Sequence, residues 1–407
     1  MMQSNEFPKG FYTGVVNLWD LPSLKIYLKP DFCLEIIEAL NSLGKRKIIA
    51  KEMGEKISKY GTVSTLSNLR TYNSGKIGLI LKISKLLTKY GKNNFDKKNI
   101  EKNIIAISYS NSGGQIRNPR TNFDFRNEYG CLLISAILHD GGISKNKKPH
   151  YSNKYIKLHE GVYNSAKEIF GDFNISKSYS KGCLSTIYPK VCGVILKEGI
   201  GLQYGKKIYN NPTVPEFIFN INNENKGIFL KQAFDDEGTV DENNRRITIQ
   251  LSTLLKNKIP HLLEDHIKLL NSLSIITSEI KPVKKYFIKN YGEHSLMCGI
   301  NITGFENLKK FDYLIGFNID YKKERLKNCL NSYKEKHFQF GTFRNQVLKS
   351  MRKIEKNKGF FTRNLIALDL NRGWSRMQQI FDIFIKENKI KEIEKYSGSR
   401  AARYILR

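Results

Sequence analysis

Residues 131–143 read CLLISAILHDGGI and residues 227–240 read GIFLKQAFDDEGTV. Each is a short apolar helical pattern that closes on an acid followed by glycine. Each is followed by strand-like alternation, a helical stretch and further strands. The two acids, Asp140 and Glu237, lie 97 residues apart. That period is too long for a solenoid repeat and suits a duplicated αβ unit. Taken singly, an acid-glycine after a helix is ordinarily a helix stop, with Gly141 and Gly238 as C-capping glycines. The interest lies in the pair.

The clearest strand follows the second copy, in RRITIQLST at residues 245–253. Arg246, Thr248, Gln250 and Ser252 point one way, and Ile247, Ile249 and Leu251 the other. One face can pack on helices, while the opposite face offers donors and acceptors suited to base edges and phosphates. VKKYFIKN at 283–290 continues the style, with Lys284 and Lys285 on opposite faces and Lys289 near its end.

The chain has 407 residues, enough for two or three domains, and 40% apolar content, enough for real cores. Lys and Arg number 68 against 38 Asp and Glu, a net charge of +30 spread along the whole length. A folded protein this basic repels itself unless a polyanion is its partner, and duplex DNA is the obvious one. A basic bias inherited from an AT-rich genome is the competing explanation, since Lys, Asn and Ile are all abundant. None of the six cysteines forms a CxxC pair, and no histidine cluster has zinc spacing. All six read as reduced core thiols of a cytosolic protein. Neither a signal peptide nor an uncharged apolar run of membrane length is present. The expected location is cytoplasmic, on the nucleoid.

Both flanks carry helical patterns. Residues 1–124 read as a helical domain plus linker. Pro30 opens a helix, Ile49, Met53 and Ile57 repeat at i+4, and Leu79, Ile83, Leu86 and Tyr90 share one face. The polar, basic VSTLSNLRTYNSGK at 63–76, with Arg70, has the layout of a helix-turn-helix reader. An ordinary helical bundle fits equally well. Beyond residue 91 only IIAIS reads as a strand. Residues 333–407 give a helix in FGTFRNQVLKSMRKI and a second capped by Thr362. A third has Met377, Ile380 and Phe384 on one stripe, and a basic two-stranded wing turns at Ser397-Gly398. That is a winged-helix pattern, with Arg376, Arg400 and Arg403 on the reader elements. A helical cap is the alternative.

The two acid-glycine helices resemble the signature of the LAGLIDADG homing endonucleases. Leu133 to Gly141 (LISAILHDG) and Leu230 to Gly238 (LKQAFDDEG) match its nine positions, with Asp140 and Glu237 at the final acidic one. The linker-like PKVCGVILKEGIGLQYGKKIYNNPTVPEFIF at 189–219 and ITGFENLKKFDYLIGFNIDYKKERL at 302–326 extend the likeness over about half the chain. The resemblance implies an α+β fold. In it, duplicated αββαββα halves are related by a pseudo-two-fold axis and form a DNA-binding saddle at residues 125–332, divided at about 222/223. The flanks at 1–124 and 333–407 become accessory domains. The implied activity is site-specific cutting of double-stranded DNA at a long asymmetric site by a monomer that mobilises its own gene or intron. Asp140 and Glu237 would hold Mg²⁺, with Mn²⁺ able to substitute. Lys206 or Lys207, in YGKK, stands where members often carry a basic residue that polarises water or phosphate. Arg246, Thr248, Gln250, Ser252, Lys285, Lys289, Arg70 and Arg376 would contact DNA.

Departures from the family pattern are equally specific. The third and seventh motif positions, usually small, are Ser135 and His139 in one copy and Gln232 and Asp236 in the other, so the helix interface is expected to be looser or hydrogen-bonded. Asp235 and Asp236 read as solvated or capping residues, and His139 as an interface side chain. The region near Phe317 and Asn318, which matches YGKK in the second half, has no lysine. Two readings compete with the nuclease: a non-cutting DNA-binding regulator on the same scaffold, and an intron RNA maturase.

Overall fold

A computed structural model describes residues 7–44, 49, 64–110, 113–180, 182–288, 292–334, 342–370, 372–395 and 401–407. The fold is mixed α and β, with several small antiparallel sheets. The chain forms two compact units, the first Met1–Asp241 with Arg245–Lys327 and the second Glu242–Asn244 with Asn328–Arg407.

In the first unit, β1 (Val15–Asn17) pairs antiparallel with β6 (Asn122–Asp124). Between them lie β2 (Lys25–Leu28), α1 (Pro30–Ser42), α2 (Ser64–Tyr72), β3 (Ser74–Lys76), α3 (Ile77–Lys89), β4 (Ile104–Ser108) and β5 (Gln115–Arg117). Pro30 opens α1 as expected. The stretch to residue 91, read as helical, also holds β2 and β3, which join β4, the expected IIAIS strand, and β5 in a four-stranded sheet of order β3-β2-β4-β5. Three of its strands have only three or four residues, too few for a period to show in sequence. Ile49 is buried. Met53 and Ile57 lie outside the described residues, as does most of the segment ahead of α2, where the first helix of a helix-turn-helix would fall.

Two stretches then share one order of elements. The first is α4 (Glu128–Leu138), β7 (Gly141–Ile143), β8 (Pro149–Asn153), α5 (Ile156–Phe170), β9 (Ser176–Ser180) and β10 (Cys183–Ile187). The second is α6 (Asn223–Glu237), β11 (Gly238–Asp241), β12 (Arg246–Leu254), α7 (His261–Ser272), β13 (Lys281–Ile288) and β14 (Glu293–Thr303). Their sheets run β7-β8-β10-β9 and β11-β12-β14-β13. In each, a helix enters a hairpin, a second helix crosses back, and the next hairpin adds on. The second stretch continues into α8 (Phe305–Leu314) and α9 (Asp320–Lys334), the helix within which the chain leaves this unit.

The alternation read in RRITIQLST holds. Ile247 and Ile249 are buried, while Arg246, Thr248, Gln250 and Ser252 stay partly open on the other face; Leu251, on the packing face, is only half-buried. The same rule corrects one thiol. Cys183 begins β10 on the outward face and is exposed, whereas the other five cysteines are buried.

The second unit is built from α10 (Thr342–Lys358), α11 (Arg363–Asp369), α12 (Trp374–Lys386), β15 (Ile390–Glu394) and β16 (Arg403–Leu406). Thr362 caps α11, its hydroxyl oxygen accepting from the Leu365 N–H at 3.2 Å. Met377, Ile380 and Phe384 sit in one core with Val347, Met351 and Phe381. β15 and β16 pair antiparallel. The turn at Ser397-Gly398 and Arg400 lie outside the described residues.

Candidate active site

Both acid-bearing helices start in the same way. The Asn127 side chain accepts from the Gly130 N–H at 2.9 Å, and that of Asn222 from the Asn225 N–H at 2.8 Å. The helices pack against each other, joined by a hydrogen bond from the Ser135 hydroxyl to the Phe229 carbonyl at 2.7 Å. The serine at the third motif position thus makes the close polar contact. His139, at the seventh, is buried between helices. Its Nδ1–H donates to the Ser135 carbonyl at 2.7 Å, and its Nε2 meets Nε2 of His266 on α7 at 3.1 Å.

The glycines after the acids are not left-handed caps, since neither has positive φ. They are required by closeness. A Cβ on Gly141 would lie 2.6 Å from the Ala136 carbonyl oxygen, and one on Gly238 would lie 2.5 Å from that of Phe234. Each strand leaves its helix so tightly that no side chain fits, which fixes where the preceding carboxylate emerges.

Asp140 accepts from the Asn153 amide at 2.7 Å, and the same amide reaches Asp236 at 3.3 Å. Asp236 also accepts from the Tyr151 hydroxyl at 2.6 Å and from Gln232 at 2.9 Å, while its other oxygen is buried with no partner among the described residues. The expectation that Asp236 is solvated or capping is therefore corrected. It is turned inward beside Asp140 because three neutral donors hold it there. Asp235 is buried rather than solvated, and it accepts the Asn318 N–H at 2.9 Å and the Ile319 N–H at 3.3 Å from the turn ahead of α9.

Burial raises the carboxyl pKa of Asp140 and, with Asp140 as a like-charged neighbour, lifts Asp236 well above the usual range and Glu237 to about 7. The acids are short of compensating positive charge. Lys207 supplies part of it. Burial lowers its pKa, while Glu237, Asp140 and Asp236 pull the other way. Lys206 is exposed, on the wall of a cleft of about 1,060 Å³ that Lys145, His150, Tyr204 and Lys207 also line.

The sequence hid a second cation. Lys322, one turn into α9, is buried and donates to the Phe234 and Asp235 carbonyls at 3.0 and 2.7 Å, at the C-terminal end of α6. Its charge acts on Asp235, Asp236, Asp140 and Glu237. The lysine absent near Phe317 and Asn318 is thus matched by one a few residues on. Only the DYKKERL spacing, with Lys322 on the inward face of α9, could have hinted at it.

The strand residues divide by face. Thr248 pairs with Asn301, Gln250 with Gly299, and Ser252 with Met297 and through it with Lys284. Lys285 shares the row of Leu296 and Thr253, on the side of the buried residues, so the lysine beside Ser252 is Lys284 rather than Lys285. Lys289 lies outside the described residues. Arg70 on α2 is exposed. In the second unit Arg376 is exposed and donates to Gln379 at 3.4 Å, and Arg403 is paired with Glu394 at 3.0 Å and stacked over Phe360.

Hard divalent cations favour carboxylate oxygens, and Mg²⁺ keeps waters and substrate oxygens on its remaining positions. Among the described residues no group of three His, Cys, Asp or Glu side chains stands ready to enclose a metal. Two acids at facing helix C-termini, undercompensated in charge, fit a cation that completes its shell from solvent and substrate. Among the described residues, no helix is long and apolar enough to cross a membrane.

No family model matches the chain. An uncharacterized protein of Methanocaldococcus jannaschii, MJ1054, is 30% identical over 265 residues, covering 63% of this chain and 26% of that protein. The glutamine–fructose-6-phosphate aminotransferase (isomerizing) of the same organism is 24% identical over 209 residues, covering 51% of this chain and 18% of that protein. The chain therefore spans about a quarter or less of either relative. Among solved structures, a mesophilic variant of the homing endonuclease I-DmoI aligns with 47% of this chain and 97% of its own, at 19% identity and a TM-score of 0.33. I-DmoI in complex with DNA and Mn covers 46% and 96%, at 19% identity and a TM-score of 0.33. Full-length DUF199/WhiA from Thermatoga maritima covers 64% and 91%, at 14% and 0.31. A likeness at these levels identifies neither a family nor an activity.

Proposed function

We propose that this chain is a site-specific double-stranded DNA endonuclease of the LAGLIDADG type. Its two halves are duplicates about a pseudo-two-fold axis between α4 and α6, and their sheets form a saddle on the duplex. The observation that carries the reading is the convergence of Asp140 and Glu237 from the C-terminal ends of two packed helices, with Lys207 and Lys322 around them.

In this reading Asp140 and Glu237 would hold Mg²⁺ or Mn²⁺. When bound, the cation supplies an acidified water and neutralises charge on the scissile phosphate. The chain's own residues do the rest. Asn153 holds the Asp140 carboxylate in one orientation through its 2.7 Å bond. Lys207 faces the acids from the cleft and is the better candidate of the YGKK pair for contact with a phosphate oxygen or water. Lys322 restrains the C-terminal carbonyls of α6, so Glu237 stays at a fixed height. The remaining basic charge supports phosphate contacts that weaken steeply with salt. The helices and paired strands of residues 333–407 serve as a winged-helix arm, with Arg376 outward, and α2, with Arg70, belongs to a second reader.

The test is cleavage of a randomised duplex library with Mg²⁺, comparing the native chain with Asp140→Asn and Glu237→Gln. Staggered cuts at one long consensus, abolished by either change, are expected. Selective binding without cleavage in Mg²⁺ or Mn²⁺ would sink the nuclease and leave a regulator.

A further inference from the structure

We infer that base discrimination is concentrated in the half of the target site met by the second sheet, and that the first sheet follows the duplex with little sequence preference. The inference rests on the DNA-cutting reading and concerns how that substrate is read.

The two sheets share a strand order, so their outward rows can be compared position by position. In the first sheet, Ser152, Ser185 and Ser178 form one row across three strands, His150, Ile187 and Ser176 the next, and Cys183 and Ser180 another. None of these residues carries a full basic charge or a carboxamide. The Ser152 and Ser185 hydroxyls already bond each other at 2.9 Å. A hydroxyl rotates to donate or accept, so it tolerates most base edges. The first sheet's long edge residues, Lys177 and Tyr179, pair with buried Thr186 and Leu184 and belong to the opposite side.

The second sheet is different in kind. Its outward rows hold Asp241, Arg246 and Thr303; Thr239, Thr248 and Asn301; Gln250, Gly299 and Lys281; Ser252, Met297 and Lys284. Guanidinium and carboxamide groups present fixed donor and acceptor patterns, which favour guanine and adenine respectively. They are also held in place. Asp241 accepts from Arg246 Nε at 3.1 Å, and Thr248 donates to the Asn301 carbonyl oxygen at 2.7 Å, which orients its amide. A Cβ on Gly299 would stand 3.0 Å from Gln250 Cγ, so the glycine leaves the glutamine its room. Readers that are oriented before binding lose less entropy on contact.

The experiment selects duplexes from a randomised pool with the full chain in EDTA, then measures relative binding of every single-base substitution through the selected site. It is repeated for Arg246→Ala, Gln250→Ala, Asn301→Ala and the double variant Ser152→Ala/Ser185→Ala, each checked for an unchanged melting temperature. The positions relaxed by the first three, each by about tenfold, should fall in one half-site, and that half should hold most of the discriminating positions. The serine variant should change discrimination by less than about twofold anywhere. Discrimination spread evenly over both halves, or serine variants that relax it as much, would overturn the inference while leaving the nuclease intact. Failure of the native chain to enrich any duplex would overturn both.

Discussion

Ser135 donates its hydroxyl hydrogen to the carbonyl oxygen of Phe229, 2.7 Å away on the neighbouring helix. The bond closes the gap that a smaller residue would close by direct backbone contact. Ser135→Ala removes it but leaves Phe229 inside its own helix, so the loss should be about 1 kcal/mol. Ser135→Leu should cost about 1–3 kcal/mol by forcing the helices apart. Urea denaturation of the two variants checks the order.

Two helical glycines should respond in opposite directions. A Cβ on Gly227 of α6 would sit 2.3 Å from the Leu314 carbonyl oxygen, whereas one on Gly161 of α5 would meet only Leu132 Cδ1 at 4.0 Å. Gly227→Ala should destabilise by about 2 kcal/mol. Gly161→Ala should stabilise by about 0.5–1 kcal/mol, because a mid-helix glycine costs backbone entropy. Thermal melts of both variants decide it.

The His266 side chain is fully buried, and burial takes its pKa from the ordinary 6.5 to about 4. Below pH 6.5 the unfolded chain gains a proton that the folded chain refuses. Stability from this group is therefore whole above 6.5 and falls as the pH drops towards 4, by up to about 3 kcal/mol. Subtracting the stability curve of His266→Gln from that of the native chain isolates this slope from the carboxylates. A flat difference between pH 4 and 7 would disprove it.

Glu237 carries the opposite sign. Its folded pKa of about 7 exceeds the ordinary 4.5, so ionisation strains the folded, metal-free protein above pH 7, and acidification relieves that strain. Glu237→Gln should raise metal-free stability at pH 8 by about 1–3 kcal/mol, with the gain fading towards pH 4.5. On the proposed metal-binding reading, excess Mg²⁺ should narrow the gap, since the native chain, with both carboxylates, gains more from the cation than the variant. Calorimetry with and without EDTA gives the answer.

On the proposed nuclease reading, Lys322→Met should shift the acidic limb of the cleavage profile to higher pH, because the lost ammonium no longer holds the Glu237 pKa down. A variant that only loosened α6 would lower activity at every pH without moving the limb.

What could be read in advance depended on how local the signal was. The strand around Gln250 shows its faces in nine consecutive residues, and Thr362 stands at the boundary it caps, so both were legible. Of the N-terminal sheet only Ile104–Ser108 was legible, because strands such as Ser74–Lys76 and Gln115–Arg117 are shorter than any period. Asp236 and Lys322 escaped for another reason. Asp236 is held by Tyr151 and Asn153 of β8, 85 and 83 residues earlier, and Lys322 by the Asp235 carbonyl of α6, 87 residues earlier, separations that no window of sequence contains. Which of Lys284 and Lys285 shares the face of Ser252 was not legible either, because a bulge between Pro282 and Lys284 resets the alternation.

The pairing of β1 with β6 ties Val15–Asn17 to Asn122–Asp124, immediately ahead of α4. Gly199 lies against Val16 so closely that a Cβ there would stand 2.7 Å from it, and Phe123 packs on Phe170. A truncation or gene fusion that treats the first 124 residues as a removable cassette would take both strands of this seam and bare Phe170 and Gly199, against which Phe123 and Val16 lie. The N-terminal region and the acid-bearing helices must therefore be transplanted, or inherited through recombination, as one indivisible piece.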